Sequence, residues 1–187
     1  MTLDFLSFFK QYATKPRTVG AILPSSKYLA RKMMAPVDFA HARYIVEYGP
    51  GTGVFTEQLL ANRQKGTTLI VFESNAEFYH LLKQKYPHEA DFHLIHDSAE
   101  NLEQHLTSLN IPRIDYIVSG LPFASLPQQV SFEILRLTQK HLQQGGTFIT
   151  FQYTLLKKDL IGNYFSKIEI EKELRNVPPA YVFSCSV

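Results

Sequence analysis

The sequence predicts an α/β fold in which helices cover both faces of a doubly wound, mostly parallel sheet. Three observations support this prediction. Apolar segments of strand length alternate with helical patterns, a glycine-rich turn joins the first strand to a helix, and two strands end the sequence with no helix between them. Because parallel neighbours need a long crossover, we expect the last two strands to form an antiparallel hairpin.

Each element is predicted from its own pattern. Short apolar runs bounded by turn residues predict strands at 44–48, 68–73, 92–96, 114–119, 146–153, 167–174 and 180–186. Apolar residues at helical spacing predict helices at 3–13, 25–34, 53–63, 75–85, 98–108, 126–142 and 155–164. Ser25 or Ser26 is expected to cap the second helix.

Length and composition indicate one domain, residues 1–187. The single cysteine, Cys185, excludes an internal disulfide, is expected to be a packed strand residue, and suggests a reducing, cytoplasmic setting. No apolar run approaches the roughly 20 residues of a membrane span. The seven histidines do not stand at metal-ligand spacing with cysteine or acids, so no metal site is expected.

A glycine-rich turn follows the strand at 44–48. Glu47 precedes Gly49, Gly51 and Gly53, so the segment reads E-x-G-x-G-x-G. Glycines let a ligand lie against the main chain where a strand turns into a helix, although such a turn can also serve only to reverse the chain. The pattern resembles the cofactor loop of S-adenosylmethionine-dependent methyltransferases.

Two further acids end the next strands. Glu73, followed by Ser74, stands 20 residues after Gly53, at the spacing where an acid binds ribose hydroxyls. The third strand ends in Asp97, Ser98 and Ala99, where the methyltransferase resemblance implies contacts with the adenine amino group. Because parallel strands end at one edge of the sheet, these residues and Glu47 are expected to line one crevice.

Three segments carry a narrower resemblance. Residues 20–30 read G-A-x-x-P-S-S-x-x-L-A, residues 119–122 read S-G-L-P, and residues 176–180 read N-V-P-P-A. Together they resemble the bacterial phospholipid N-methyltransferases, which implies the Rossmann-like, seven-stranded class I methyltransferase sheet and methylation of phosphatidylethanolamine. The resemblance places the acceptor amine beside Ser119, Gly120, Leu121, Pro122 and Phe123, with Ser119 also near the cofactor. Phe123, Tyr12 or Tyr181 are candidates to hold a methylated cation by cation-π attraction.

The alternative family is that of the ribosomal RNA adenine dimethylases. Their glycine loop has the same form, but they present N-L-P-Y, in which the asparagine side chain binds the adenine amine. Gly120 occupies the asparagine position here, and Phe123 keeps the aromatic ring. The sequence also lacks the separate RNA-binding domain of those enzymes, so RNA is the second choice of acceptor.

The amino-terminal segment, residues 1–32, is basic and amphipathic. It carries six basic residues and one acid, a net charge of +5, and Phe5, Phe8, Phe9 and Tyr12 recur at helical spacing. Such an arm can lie in the interface of an anionic membrane, which predicts a cytoplasmic protein peripheral to the inner membrane face. The same stripe can instead cover the core, and the basic residues can grip RNA phosphates.

The expected reaction is a direct methyl transfer from S-adenosylmethionine to a neutral amine, in which positioning supplies most of the acceleration. No residue is assigned as the base. Glu47 is a poor candidate because its expected role is to face the methionine amino group or brace the glycine loop. A third possibility is a cofactor-binding adaptor without catalysis.

Overall fold

The computed structural model describes residues 25–187. Its strands are β1 (Tyr44–Tyr48), β2 (Thr68–Phe72), β3 (Phe92–Ile95), β4 (Ile114–Ser119), β5 (Leu142–Gln152), β6 (Lys167–Glu173) and β7 (Ala180–Ser186). Its helices are α1 (Lys27–Met34), α2 (Val54–Asn62), α3 (Ala76–Lys85), α4 (Leu102–Ser108), α5 (Gln128–His141) and α6 (Lys158–Gly162), and a 3-10 turn, Ala99–Asn101, precedes α4. The predicted helix at 3–13 and the motif residues 20–24 lie outside the described residues.

All seven strands form one sheet in the order β3-β2-β1-β4-β5-β7-β6. Strands β1 to β5 pair in parallel, whereas β7 pairs antiparallel with both β5 and β6. The predicted fold class and the C-terminal hairpin are therefore confirmed. The last strand lies inside the sheet, between β5 and β6.

Helices pack on both faces of the sheet. One face buries apolar side chains of α1 and α2, including Leu29, Met33 and Leu59, against Ile45 and Ile149. The other face packs α4 and α5 against alternate residues of the same strands, among them Val46, Ile70, Ile117, Phe148 and Phe183. Residues buried on both faces explain why the parallel strands read as continuous apolar runs.

Most boundaries agree with the predictions to within two residues, and three elements begin three or more residues away from the predicted start. Strand β5 begins at Leu142 rather than 146, because Leu142 pairs with Ile114 before a register shift that leads to the pair Tyr116 and Thr147. Helix α6 is shorter than predicted, and the helix predicted at 98–108 begins as the 3-10 turn.

Two local predictions are confirmed. The Ser26 hydroxyl accepts a hydrogen bond from the Leu29 amide at 3.1 Å and caps α1, and Cys185 is buried in β7. Between residues 25 and 187, no helix combines the length and apolar character of a membrane span.

Candidate functional site

The carboxyl edge of the parallel strands brings the predicted site residues together. Glu47 lies near the end of β1, Glu73 follows β2, and Asp97 follows β3, while Ser119 ends β4. Strands β1 and β4 are neighbours, and the chain continues from β1 toward one side of the sheet and from β4 toward the other. Ligands of open α/β sheets bind at such a switch point.

The glycine loop between β1 and α2 depends on backbone angles that suit glycine. Gly49, Gly51 and Gly53 have φ angles of 62°, 56° and 84°. A Cβ on Gly49 would lie 2.8 Å from the Leu121 side chain, and one on Gly53 would lie 2.6 Å from Leu82. The loop is therefore closely packed as well as left-handed.

The segment that leaves β4 presses against this loop. The Gly120 amide donates a hydrogen bond to the Tyr48 carbonyl at 2.8 Å. A Cβ on residue 120 would lie 2.5 Å from the Gly49 carbonyl oxygen, a backbone atom that cannot swing away. Gly120 is thus required by the close approach of two backbone segments.

Glu47 is completely buried beneath the glycine loop. The Thr56 hydroxyl donates a 2.7 Å hydrogen bond to its Oε2, whereas Oε1 has no hydrogen-bond partner among the described residues. Burial raises the pKa of Glu47 to about 8; the Thr56 hydrogen bond opposes this shift, and the charge of Glu73 adds to it. The carboxyl group is therefore mostly protonated at neutral pH.

Glu73 is buried at the entrance of the same region, with 5% of its surface exposed. Its carboxylate accepts hydrogen bonds from the amides of Gly51 at 3.1 Å and Asn75 at 2.8 Å. Burial raises its pKa, and these amide bonds partly offset the shift. The side chain bridges the glycine loop and the start of α3.

Asp97 is held by side chains of the following helical segment. Its carboxylate accepts hydrogen bonds from Asn101 Nδ2 and the Ser98 amide, and pairs with His105 Nε2 at 2.8 Å. The His105 contact is the largest cause that lowers the pKa of Asp97. Asp97 therefore stays ionised at the rim of the crevice.

A cavity of about 270 Å³ opens at this edge, close to the lower size limit of ordinary ligand sites. Polar residues after β2 and β3 form one wall, and apolar residues of the segment from β4 to α5 form the other. The lining comprises Gly49, Phe72, Glu73, Ser74, Asp97, Ser98, Ala99, Glu100, Leu121, Leu126, Pro127, Val130 and Ile134.

The predicted residues after β4 divide between the cavity and the core. Leu121 lines the cavity, whereas Ser119 is buried and its hydroxyl accepts a 3.2 Å hydrogen bond from the Leu121 amide. Phe123 is fully buried, and its ring contacts Phe148 edge-on at 6.2 Å. The Phe123 ring therefore belongs to the core and offers no open face for an acceptor cation.

Sequence reasoning missed two groups that shape the site. Gln152, buried at the end of β5, donates a 3.0 Å hydrogen bond to the Leu121 carbonyl. A glutamine that ends a buried apolar run, at the carboxyl edge of the sheet, is a sequence signal that could have identified Gln152. Asn101 and His105 bind the Asp97 carboxylate, and their spacing of four and eight residues from Asp97 is a weaker sequence signal.

Within residues 25–187, no cluster of three or more His, Cys, Asp or Glu side chains is arranged to hold a metal ion.

Known proteins are similar to the chain in two ways, some in fold alone and others in amino-acid sequence. No family model matches the chain. Its solved structural neighbours include the O-methyltransferase from Bacillus cereus in complex with SAH, with a TM-score of 0.67 at 11% identity over 100% of this chain and 92% of the other. The ornithine lipid N-methyltransferase from Singulisphaera acidiphila is 28% identical over 184 residues, 97% of this chain and 95% of that protein.

The chain has the fold of class I methyltransferases, and its similarity to a lipid N-methyltransferase spans nearly the whole length of both chains. The chain is also similar to ribosomal RNA small subunit methyltransferase A from Dehalococcoides mccartyi, at 28% identity over 114 residues, 60% of this chain and 38% of that protein. The resemblance to lipid N-methyltransferases and their RNA-modifying relatives is thus confirmed.

Proposed function

We propose that the enzyme transfers a methyl group from S-adenosylmethionine to the amine of a membrane lipid, such as phosphatidylethanolamine or an ornithine lipid. One observation carries the proposal: the similarity to a lipid N-methyltransferase spans nearly the whole length of both chains. The similarity to the RNA enzyme covers little more than a third of that protein.

The site fits the cofactor in three respects. Glu47 Oε1 is a buried polar atom without a hydrogen-bond partner among residues 25–187, the glycine loop would be blocked by side chains, and Glu73 and Asp97 border one cavity. We assign Glu73 and Ser74 to the ribose, residues 97–99 to the adenine, and the glycine loop above Glu47 to the methionine end. The cofactor supplies an electrophilic methyl group, so the protein's task is to hold the amine in line with it.

The acceptor amine is assigned to the segment after β4. Leu121 lines the cavity, and its carbonyl is held in place by a hydrogen bond from the Gln152 side chain. A carbonyl oxygen in this place can accept a hydrogen bond from an amine and orient its lone pair. Ser119 holds the Leu121 amide, so both backbone groups of Leu121 are held by buried side chains.

Gly120 supports a lipid rather than an adenine acceptor. The asparagine of the RNA dimethylases would bring a Cβ into the Gly49 carbonyl, so this backbone does not accept that residue without moving the glycine loop. The N-L-P-Y arrangement would therefore require the segment after β4 and the glycine loop to lie farther apart than they do here.

We further propose that residues 1–187 form one methyltransferase domain, and that the basic arm, residues 1–32, attaches the enzyme to the cytoplasmic face of the inner membrane through the part that precedes α1, because α1 itself packs on the sheet. The arm's net charge of +5 and its aromatic residues support this role. Most of the arm lies outside the described residues.

An acceptor assay tests the function. Purified enzyme with methyl-labelled cofactor is offered phosphatidylethanolamine vesicles, ornithine lipid vesicles and ribosomal RNA side by side. We expect label in a lipid. Label only in RNA would reverse the order of acceptors, and cofactor binding by calorimetry without label in any acceptor would indicate an adaptor.

A further inference from the structure

Exposed apolar side chains of the described residues concentrate in two short segments. Leu155 and Leu156 follow β5 with 44% and 75% of their surface exposed, and Leu174 and Val177 follow β6 with 67% and 72% exposed. We call these four residues the apolar rim. Single exposed apolar residues are ordinary, whereas a group of them marks a contact surface.

Both segments leave the sheet at the edge that holds the crevice. Gln152 at the end of β5 pairs with Tyr181, and Glu173 at the end of β6 pairs with Ala180. The loop after β5 and the turn between β6 and β7 are therefore neighbours. Gln152 also contacts the Leu121 carbonyl, which connects the rim to the cavity wall.

The turn between β6 and β7 is anchored, so its apolar residues are held outward. Buried Asn176 accepts a 2.9 Å hydrogen bond from the Ser26 amide and donates one to the Pro178 carbonyl at 2.8 Å. Glu173, also buried, accepts from the Arg175 amide and guanidinium. Leu174 and Val177 alternate with these anchors and point to solvent.

The charges beside the rim favour an anionic partner. Lys157 and Lys158 directly follow the two leucines, and Lys27 begins the helix beside the turn; none of the three forms an ion pair with a described residue. Nearby Glu171 and Glu173 are paired with Lys32 and Arg175. The free charge around the rim is therefore mainly positive, opposed by Asp159.

We propose that the apolar rim inserts into the headgroup region of an anionic bilayer, with the adjacent lysines on lipid phosphates, so that the crevice opens toward the membrane. The proposal rests on the proposed lipid acceptor and adds a docking surface within the folded domain. The described part of the basic arm lies beside the same surface, because the Ser26 amide donates a hydrogen bond to Asn176 of the turn.

Vesicle flotation with full-length protein tests the rim. The Leu156→Glu, Leu174→Glu double variant is compared with Leu81→Glu, an equally simple change at an exposed leucine of α3 that is 43% exposed. On phosphatidylglycerol vesicles we expect the double variant to lose about tenfold in partitioning, because two charges replace inserted side chains, and Leu81→Glu to bind like the wild type. Neither should change cofactor affinity. A Leu156→Ser, Leu174→Ser variant should show a smaller loss in the same direction.

Turnover separates the rim from the proposed function. With a lipid acceptor in vesicles the double variant should be slow, whereas with a short-chain, water-soluble form of that acceptor it should match the wild type. If both double variants bind vesicles as well as the wild type does, the apolar rim is not a membrane-docking surface, even if the enzyme methylates lipid. If instead the wild type methylates neither the vesicle lipid nor the short-chain form, while the rim substitutions still reduce vesicle binding, the proposed function is wrong and the docking surface stands.

Discussion

Glu47 is an acid that the fold holds away from water while one of its oxygens has no partner among the described residues. A buried charge of this kind is costly, and the group responds by taking up a proton. With a pKa of about 8, Glu47 changes its protonation state in the neutral to mildly alkaline range. A bound cation would reverse the preference and favour the ionised form.

Glu47→Gln should change how stability depends on pH. The folded-state pKa of Glu47 is raised from 4.5 to about 8, so its contribution to folding is full below the lower value and is lost as the pH rises through the higher one. We expect the wild-type melting temperature to fall more steeply than that of Glu47→Gln between about pH 4.5 and about pH 8, the interval between the unfolded and folded pKa values. Scanning calorimetry measures both, with the exposed Glu77→Gln as a control. Parallel curves would contradict the buried, protonated state.

Glu73→Ala tests the ribose assignment. Loss of a charge-assisted hydrogen bond should weaken cofactor binding by about 1.5–3 kcal/mol. Titration calorimetry with S-adenosylmethionine measures the change, and Glu77→Ala, an exposed acid of the next helix, is the matched control. An unchanged dissociation constant would show that Glu73 serves only to brace Gly51 and Asn75.

At the scale of elements, the site depends on two loops that touch through their backbones. The exit of β4 and the turn after β1 meet at Gly120 and Gly49, and the carboxylate of Glu73 fastens the other side of that turn. Movement of one loop must therefore move the other. The cavity wall formed by Leu121 is positioned by the same contact.

Gly120→Ala should damage this contact. The added methyl group meets a carbonyl oxygen at 2.5 Å, so we expect a loss of stability of about 1–3 kcal/mol and weaker cofactor binding. Gly162→Ala is the control, because its Cβ would stand at an ordinary 3.5 Å from Ile168. Chemical denaturation and calorimetry measure the two effects. Equal behaviour of the two variants would mean that the loops separate at little cost.

Local patterns were sufficient to predict most elements. The continuous apolar runs of β1, β2 and β4 and the cap at Ser26 are short-range signals. The early start of β5 was missed because it depends on pairing between Leu142 and Ile114, which no local pattern records. Placement of β7 inside the sheet is likewise a long-range property.

The site divides in the same way. The glycine loop and the acids after β2 and β3 were predicted because each follows a recognisable strand at a defined spacing. The burial of Phe123 was not predicted, because it depends on contact between its ring and Phe148 of β5, which is distant in the sequence. Gln152 escaped notice because its partner is 31 residues away in the sequence.

At the scale of the whole molecule, catalysis and membrane attachment are expected to be separable. Deleting residues 1–13 should reduce binding to anionic vesicles at least about tenfold, because basic and aromatic contacts are lost, while cofactor affinity stays nearly unchanged. Flotation and calorimetry measure the two properties, and a shortened chain with residues 14–187 intact serves both assays. Collapse of the fold on truncation would instead favour an arm that covers the core.

The position of β7 between β5 and β6 also has a consequence for biosynthesis. While a nascent chain is still being translated, β5 has one bare edge and β6 has no neighbour at all until residues 180–186 leave the ribosomal tunnel. Bare edges invite pairing with other chains. A premature stop codon before residue 180 would therefore remove an internal strand of the sheet. The truncated protein should aggregate rather than persist as a slightly shortened enzyme.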